Sequence, residues 1–104
     1  MDVIISAKAR RQLRRLESYL AERFYSRNAE RFINRLIDAC EAIGPAPYLG
    51  TRRDDLLPGV RSTGFEHIVT IYFEVIHNEL RILTITYRGK LPRKNDLKFE
   101  DPRL

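Results

Sequence analysis

The sequence contains no tryptophan, one cysteine, one methionine and two histidines among 104 residues. A single cysteine, Cys40, cannot close an internal disulfide, and no Cys/His cluster has the spacing of a structural metal site. Gly-rich phosphate loops, nucleophile elbows and zinc-binding helical motifs are missing too, so neither a cofactor nor a metal is expected. No apolar run approaches the roughly 20 residues that span a bilayer. The opening Met1-Asp2-Val3-Ile4-Ile5 has no basic stretch leading into an apolar one, so no secretory leader is expected. Together these absences predict a protein of the reducing cytoplasm with no membrane partner.

What is present is an ordinary globular composition, 43% hydrophobic and 32% charged, with five Phe and five Tyr. That is too rich in apolar residues for a disordered chain, and the length suits one domain. The formal charge is +5 and the isoelectric point about 9.7. Such an excess calls for an anionic partner: nucleic acid, an acidic protein or an anionic surface.

The periodicity divides the chain into a helical front and a strand-like back. Asp2 to Ile5 reads as a short strand, after which Ser6 caps a helix over about Ala7 to Phe24. Ala9, Leu13, Leu16, Leu20 and Phe24 recur on one face of it. Ser26 is placed to cap a second helix, about Arg27 to Ile43, with Ala29, Phe32, Ile33, Leu36, Cys40 and Ile43 as its apolar face. Gly44, Pro45 and Pro47 end it, and the short break between the helices makes them an antiparallel hairpin. Ala46 to Gly59 reads as a loop. Val60 to Phe65, His67 to Ile76 and Glu79 to Tyr87 then read as strands, with a turn at His77-Asn78. The expected fold is α+β in the order β-α-α-β-β-β, a helical hairpin packed on a small, twisted antiparallel sheet. Residues 1–90 form the domain, and 91–104 a basic, loosely held C-terminal tail.

The candidate functional residues are mostly cations. Arg10, Arg11, Arg14 and Arg15 project away from the apolar stripe of the first helix. Their i,i+4 like-charge pairs cost roughly 0.2–0.5 kcal/mol each, in the half of the helix whose dipole disfavours cations. A solvated face would look similar, but the unfavourable local energetics point to a binding role. A second set, Arg61, Arg81, Arg88, Lys90, Arg93 and Lys94, lies on or beyond the strands. It suits a phosphate-binding surface or edge-strand protection. Tyr72 alternates away from Phe73 and is expected to be partly exposed to a partner. His67, at a strand start, and His77, in a turn, lack an orienting carboxylate. Cys40 reads as a small core residue, and Asp54-Asp55 lack the further ligands of a metal site.

The order of elements and several strings resemble the RelE/ParE toxin superfamily over about residues 3 to 90. These are Ser6-Ala7-Lys8-Ala9 with Leu13 through Tyr19, Leu57-Pro58-Gly59-Val60-Arg61, His67 through Val75, and Arg81 through Tyr87. The resemblance implies the toxin of a type II toxin–antitoxin system, bound in a hetero-oligomer by a ParD-like antitoxin with an acidic, disordered C-terminal segment. Within the superfamily, RelE-type toxins cut mRNA on the ribosome with basic residues and a C-terminal Tyr or His, whereas ParE-type toxins poison DNA gyrase. No His or Tyr lies between Arg88 and Leu104, which favours the ParE branch and no catalytic residues. In the RelE alternative, Arg61, Tyr87 and Lys90 would carry the chemistry. A non-toxic nucleic-acid-binding module remains a third reading, supported by charge. Arg88-Gly89 and the long tail depart from the family pattern.

Overall fold

Strand β1 (Asp2–Ile5) ends where Ser6 turns the chain into helix α1 (Ala7–Arg23). In the computed structural model, which describes residues 1–104, the Ser6 hydroxyl accepts a hydrogen bond from the Ala9 N–H at 3.0 Å. This satisfies one of the N–H groups that a helix start leaves free. Phe24, in an extended conformation, stops α1, and helix α2 (Ser26–Glu41) returns antiparallel to it. Ser26 does not cap α2 as expected. Tyr25 holds the N-cap position without a side-chain bond, and Ser26 is already helical.

The loop contains a two-residue strand, β2 (Thr51–Arg52), unforeseen because two residues carry no readable period. Then follow β3 (Arg61–Phe65), β4 (Val69–Ile76) and β5 (Glu79–Tyr87). The sheet order is β1-β5-β4-β3-β2. Pairing is antiparallel from β2 to β5, but β1 joins β5 parallel, with Val3 opposite Leu80. The sheet is therefore mixed. With β2 on the far edge, β5 offers β1 its place. His67 is not a strand residue: Glu66 and His67 both have positive φ and make a hairpin turn, as do His77 and Asn78. Arg35 holds the first turn through Glu66 at 2.9 Å. No helix is long and apolar enough to cross a membrane.

The helical hairpin packs on one sheet face over Ile71, Phe73, Leu80 and Ile82, which meet Leu13, Ile33, Leu36 and Cys40. Burial pushes the Cys40 thiol up to about 12, so it is a core residue and no thiolate at neutral pH. Gly50 is required by a close approach, since a Cβ there would sit 2.6 Å from Phe73 Cζ.

A shift of register between Tyr72 and Phe73 puts Tyr72 and Leu83 in a separate cluster with Val60 and Leu97. The C-terminal segment covers that second cluster, and the loosely held tail expected from the sequence is instead docked. Leu97 is 3% exposed. Phe99 packs nearby under the Arg81 guanidinium at 4.6 Å. Lys8 reaches Asp96 at 2.9 Å, Arg11 reaches Glu100 at 3.0 Å, and Arg103 bridges Glu79 and Asp101. The Glu100 carbonyl accepts from the Ala7 N–H at 2.8 Å, at the start of α1. Single charged pairs are weak at a surface, so the apolar anchors hold the segment and the ions set its register.

Two outcomes follow for the segment. Leu97→Ala should lower unfolding free energy by about 2–5 kcal/mol, the usual range for a buried leucine, as read by urea titration. A change under about 1 kcal/mol would mean that the segment is not part of the core. Arg103 side-chain bonds hold the Asp101 carboxyl at about 2 and, with Arg81, lower Glu79. A carboxylate with a depressed folded-state value contributes fully above its unfolded value, and the contribution is lost as pH falls through the folded one. The Arg103 end of the segment should therefore loosen as pH falls from about 4 toward 2, visible in Phe99 and Leu97 NMR signals. Signals that stay native to pH 2 would rule the ionic contribution out.

Candidate functional site

Strand β5 runs on past the end of β1, and helix α1 takes over its exposed edge. The Ser6 N–H donates to the Ile82 carbonyl at 3.0 Å, and the Ser6 hydroxyl donates to the Leu83 carbonyl at 2.9 Å. Nearly two helical turns on, Gln12 Oε1 accepts from the Ile85 N–H at 2.9 Å. Gln12 Nε2 lies 2.8 Å from the Thr84 hydroxyl. The N-cap side chain and one side chain of α1 thus stand in for a missing strand.

Beyond Gln12 the two elements part, leaving a groove of about 780 Å³ between α1, the end of β5 and residues 90–96. Arg88 and Gly89, both with positive φ, turn the chain so that it curls back along the groove. Arg15, Arg88, Lys90 and Arg93 line it, against one carboxylate, Asp96. That carboxylate is already engaged by Lys8 at 2.9 Å and by the Arg93 N–H at 2.9 Å. Partial desolvation works against its ionisation, but these bonds prevail and lower its pKa. The groove is therefore net cationic. Its aromatic wall is Tyr19 edge-on to Tyr87, with ring centroids 6.0 Å apart. Arg23 lies 3.7 Å from the Tyr19 ring centroid and Arg88 5.4 Å from that of Tyr87. The Thr86 hydroxyl, also in the groove lining, is buried and has no hydrogen-bond partner. Past Tyr87 and Arg88 a second, more apolar hollow of about 480 Å³ opens among Leu20, Phe24, Phe32 and Ile68, with Arg31 and Arg35 also lining it.

The structure divides the cations singled out in the sequence. Arg15, Arg88, Lys90 and Arg93 come together with Tyr87. The other helix-one arginines do not join them. Arg10 donates to the Ile5 carbonyl at 3.2 Å, and Arg11 is paired with Glu100. Arg14 faces α2 in a shallow hollow with Arg10 and Glu17. Lys94 is exposed on the short 3-10 turn Lys94–Leu97. Arg61 donates to the Tyr48 and Gly50 carbonyls at 3.3 and 3.0 Å, and Arg81 pairs with Glu79 over the Phe99 ring. Both serve the fold. Tyr72, expected to be partly exposed, is 2% exposed beneath the C-terminal segment.

The trio Arg61, Tyr87 and Lys90 is not assembled. Arg61 pairs with Phe73 on β4, and Tyr87 with Val69. Four residue steps along β4 and two strand spacings separate them, roughly 13 Å by roughly 10 Å. Sequence reasoning missed Gln12, Tyr19 and Thr86 as parts of the site. Gln12 alone carried a signal, as an uncharged polar residue among the arginines beside the apolar stripe. Gln12→Leu leaves the Ile85 N–H and Thr84 hydroxyl without their side-chain partner and should cost about 1–3 kcal/mol. Arg15→Ala, exposed and without an ion pair, should stay within about 0.5 kcal/mol. Equal effects in thermal unfolding would defeat the distinction.

The family described as "ParE toxin of type II toxin-antitoxin system, parDE" matches residues 3–92. Among solved structures, a chain described as "Chromosomal ParDE TA system from P. aeruginosa" superposes with a TM-score of 0.75 at 20% identity. The superposition covers 84% of this chain and 95% of that one. At that identity the likeness speaks for the fold. No curated protein matches the sequence.

Proposed function

The chain belongs to the ParE toxin family of type II toxin–antitoxin systems, and from that premise we propose that it is a non-catalytic toxin acting on DNA gyrase. We further propose that a cognate antitoxin silences it by laying an acidic, disordered segment into the groove between α1 and β5. The observation that carries the antitoxin half is the excess of cations there: Arg15, Arg88, Lys90 and Arg93 face a single, already engaged carboxylate. An acidic segment would be steered to this patch by long-range attraction. It would order on binding, burying the apolar parts of the groove wall beside the ion pairs. The gyrase half rests on the family.

The mRNA-cleaving alternative is weakened by geometry, because Arg61 lies at a different end of the sheet from Tyr87 and Lys90, which share the groove. General acid–base cleavage requires those groups within hydrogen-bond reach of one substrate. A plain nucleic-acid-binding module would share the cationic groove and differ in salt response.

The test is a paired assay on purified protein, supercoiling by gyrase and mRNA cleavage on translating ribosomes, each repeated with the product of any adjoining small acidic reading frame. Loss of supercoiling with intact mRNA, relieved by that product, is the expected result. Cut mRNA with normal supercoiling would overturn the gyrase reading. Inactivity in both assays, with nucleic-acid affinity falling steeply in salt, would replace the toxin by the binding module.

A further inference from the structure

Leu20 is the last residue that α1 buries and Ala29 the first that α2 buries. Between them the hairpin turns at Phe24 and Tyr25, which are 61% and 80% exposed. The tip of the hairpin therefore brings little side-chain bulk inward to the end of the sheet, where Ile68 and Tyr87 lie. The hollow of about 480 Å³ at that place is what an alanine leaves unfilled. Leu20 and Ala29 are buried and Phe32, Ile68 and Tyr87 half-buried, so the floor is apolar. The exposed Asn28, Arg31, Arg35 and Arg88 form the rim, and no carboxylate lines the hollow. Glu66 engages Arg35 through two bonds, at 2.9 and 3.1 Å. Arg31 and Arg88 are in no ion pair. The rings are already fixed: Phe32 lies edge-on to Phe65 with centroids 5.5 Å apart, and Tyr87 edge-on to Tyr19.

We propose that this hollow is a binding site for a small aromatic monoanion, a ring body carrying one carboxylate. The ring displaces water from Ala29, Ile68 and the faces or edges of Phe32 and Tyr87. The carboxylate takes up the two free guanidiniums, Arg31 from α2 and Arg88 from the end of β5, in charge-assisted bonds. A concave site of roughly 300–1,000 Å³ with an apolar floor and a few polar groups at its mouth has the dimensions of a small-ligand pocket. A phosphodiester chain would satisfy the cations and leave the floor in water. A neutral ring would cover the floor and leave both guanidiniums unpaired. Only a ligand with both parts completes the site. Tyr87 and Arg88 also line the groove beside α1, so an anion seated in the hollow draws Arg88 away from the groove.

The probe is naphthoate, titrated into the full-length, isotope-labelled protein, with naphthamide as its uncharged counterpart and the NMR signals of Ala29, Phe32 and Ile68 as the readout. Saturable one-to-one binding that moves those signals is the expected result, and the amide should bind about tenfold more weakly for want of a charge-assisted bond. Arg31→Glu, at an exposed position without an ion pair, should weaken naphthoate by a similar factor. Lys98→Glu makes the same change of net charge at an exposed position outside the hollow and should leave the affinity as it was. Equal losses in the two variants would overturn the site and leave bulk attraction; equal affinity of acid and amide would leave apolar adsorption alone. Absence of saturation, or shifts confined to Arg15, Lys90 and Leu91 in the groove, would also overturn it. Tighter binding of the capped peptide Glu-Phe-Glu at the same signals would overturn it in favour of a protein side chain as the occupant.

Discussion

Strand β5 is nine residues long and β1, which borders it on the helical side, is four. That mismatch governs much of the molecule. An exposed strand edge is a row of unpaired polar groups, and the stretch of β5 left uncovered lies within the packed body of the protein. The chain resolves the first part by leaving β1 through Ser6, whose backbone and hydroxyl serve Ile82 and Leu83 while its side chain caps α1. One residue therefore ends a strand, starts a helix and closes part of a sheet edge. Gln12 extends the cover to Ile85. Past that point α1 carries Arg15 and Tyr19, and the edge stays open in the groove.

The opposite sheet face has its own constraint. The register shift at Tyr72 and Phe73 sends Tyr72 and Leu83 outward, where they require apolar cover. Leu97 and Phe99 supply it from the C-terminal segment, with Leu56 from the loop before β3. The same segment carries Asp96, Glu100 and Asp101, which meet Lys8, Arg11 and Arg103. Docking the segment thus sorts the cations. Lys8 and Arg11, near the start of α1, are paired within the chain, whereas Arg15 joins Lys90 and Arg93 of the segment itself in the groove.

The sequence was most legible where one period dominates. The limits of β1 and β5 and the bulk of both helices follow from alternation and helical spacing, because each buries one continuous face. Less could be read where structure depends on distant partners. The two-residue β2 exists only because Thr51 and Arg52 meet Ser62 and Arg61. The Glu66–His67 turn uses residues with no turn signature, one of them held by Arg35 from α2. Tyr72 looked half-exposed because alternation names its face but cannot show that Leu97, 25 positions on, lies over it. The tail looked loose because its apolar residues are sparse, though two suffice when they close an existing cluster. The same limit applies to the site. Composition shows an excess of cations, but Arg11, Arg61 and Arg81 differ from Arg15, Lys90 and Arg93 only in what the fold places beside them.

A cationic groove of this kind is inexpensive to keep empty and favourable to fill, and the reason is dielectric. While open to water, exposed like charges are screened over about 8 Å at physiological salt, and at a 4 Å separation two unit charges interact by only about 1 kcal/mol in bulk water. Arg15, Lys90 and Arg93, all exposed, therefore disturb the free protein little, which is why the packed core beneath them tolerates the arrangement. An acidic segment laid over them would displace that water and lower the local dielectric, so each cation–carboxylate attraction would strengthen as the groove closed. Desolvation opposes part of this gain, and burial of the apolar parts of the groove wall would offset it. The charge that would draw an acidic chain to the groove would thus also hold it more firmly once the water between them is gone.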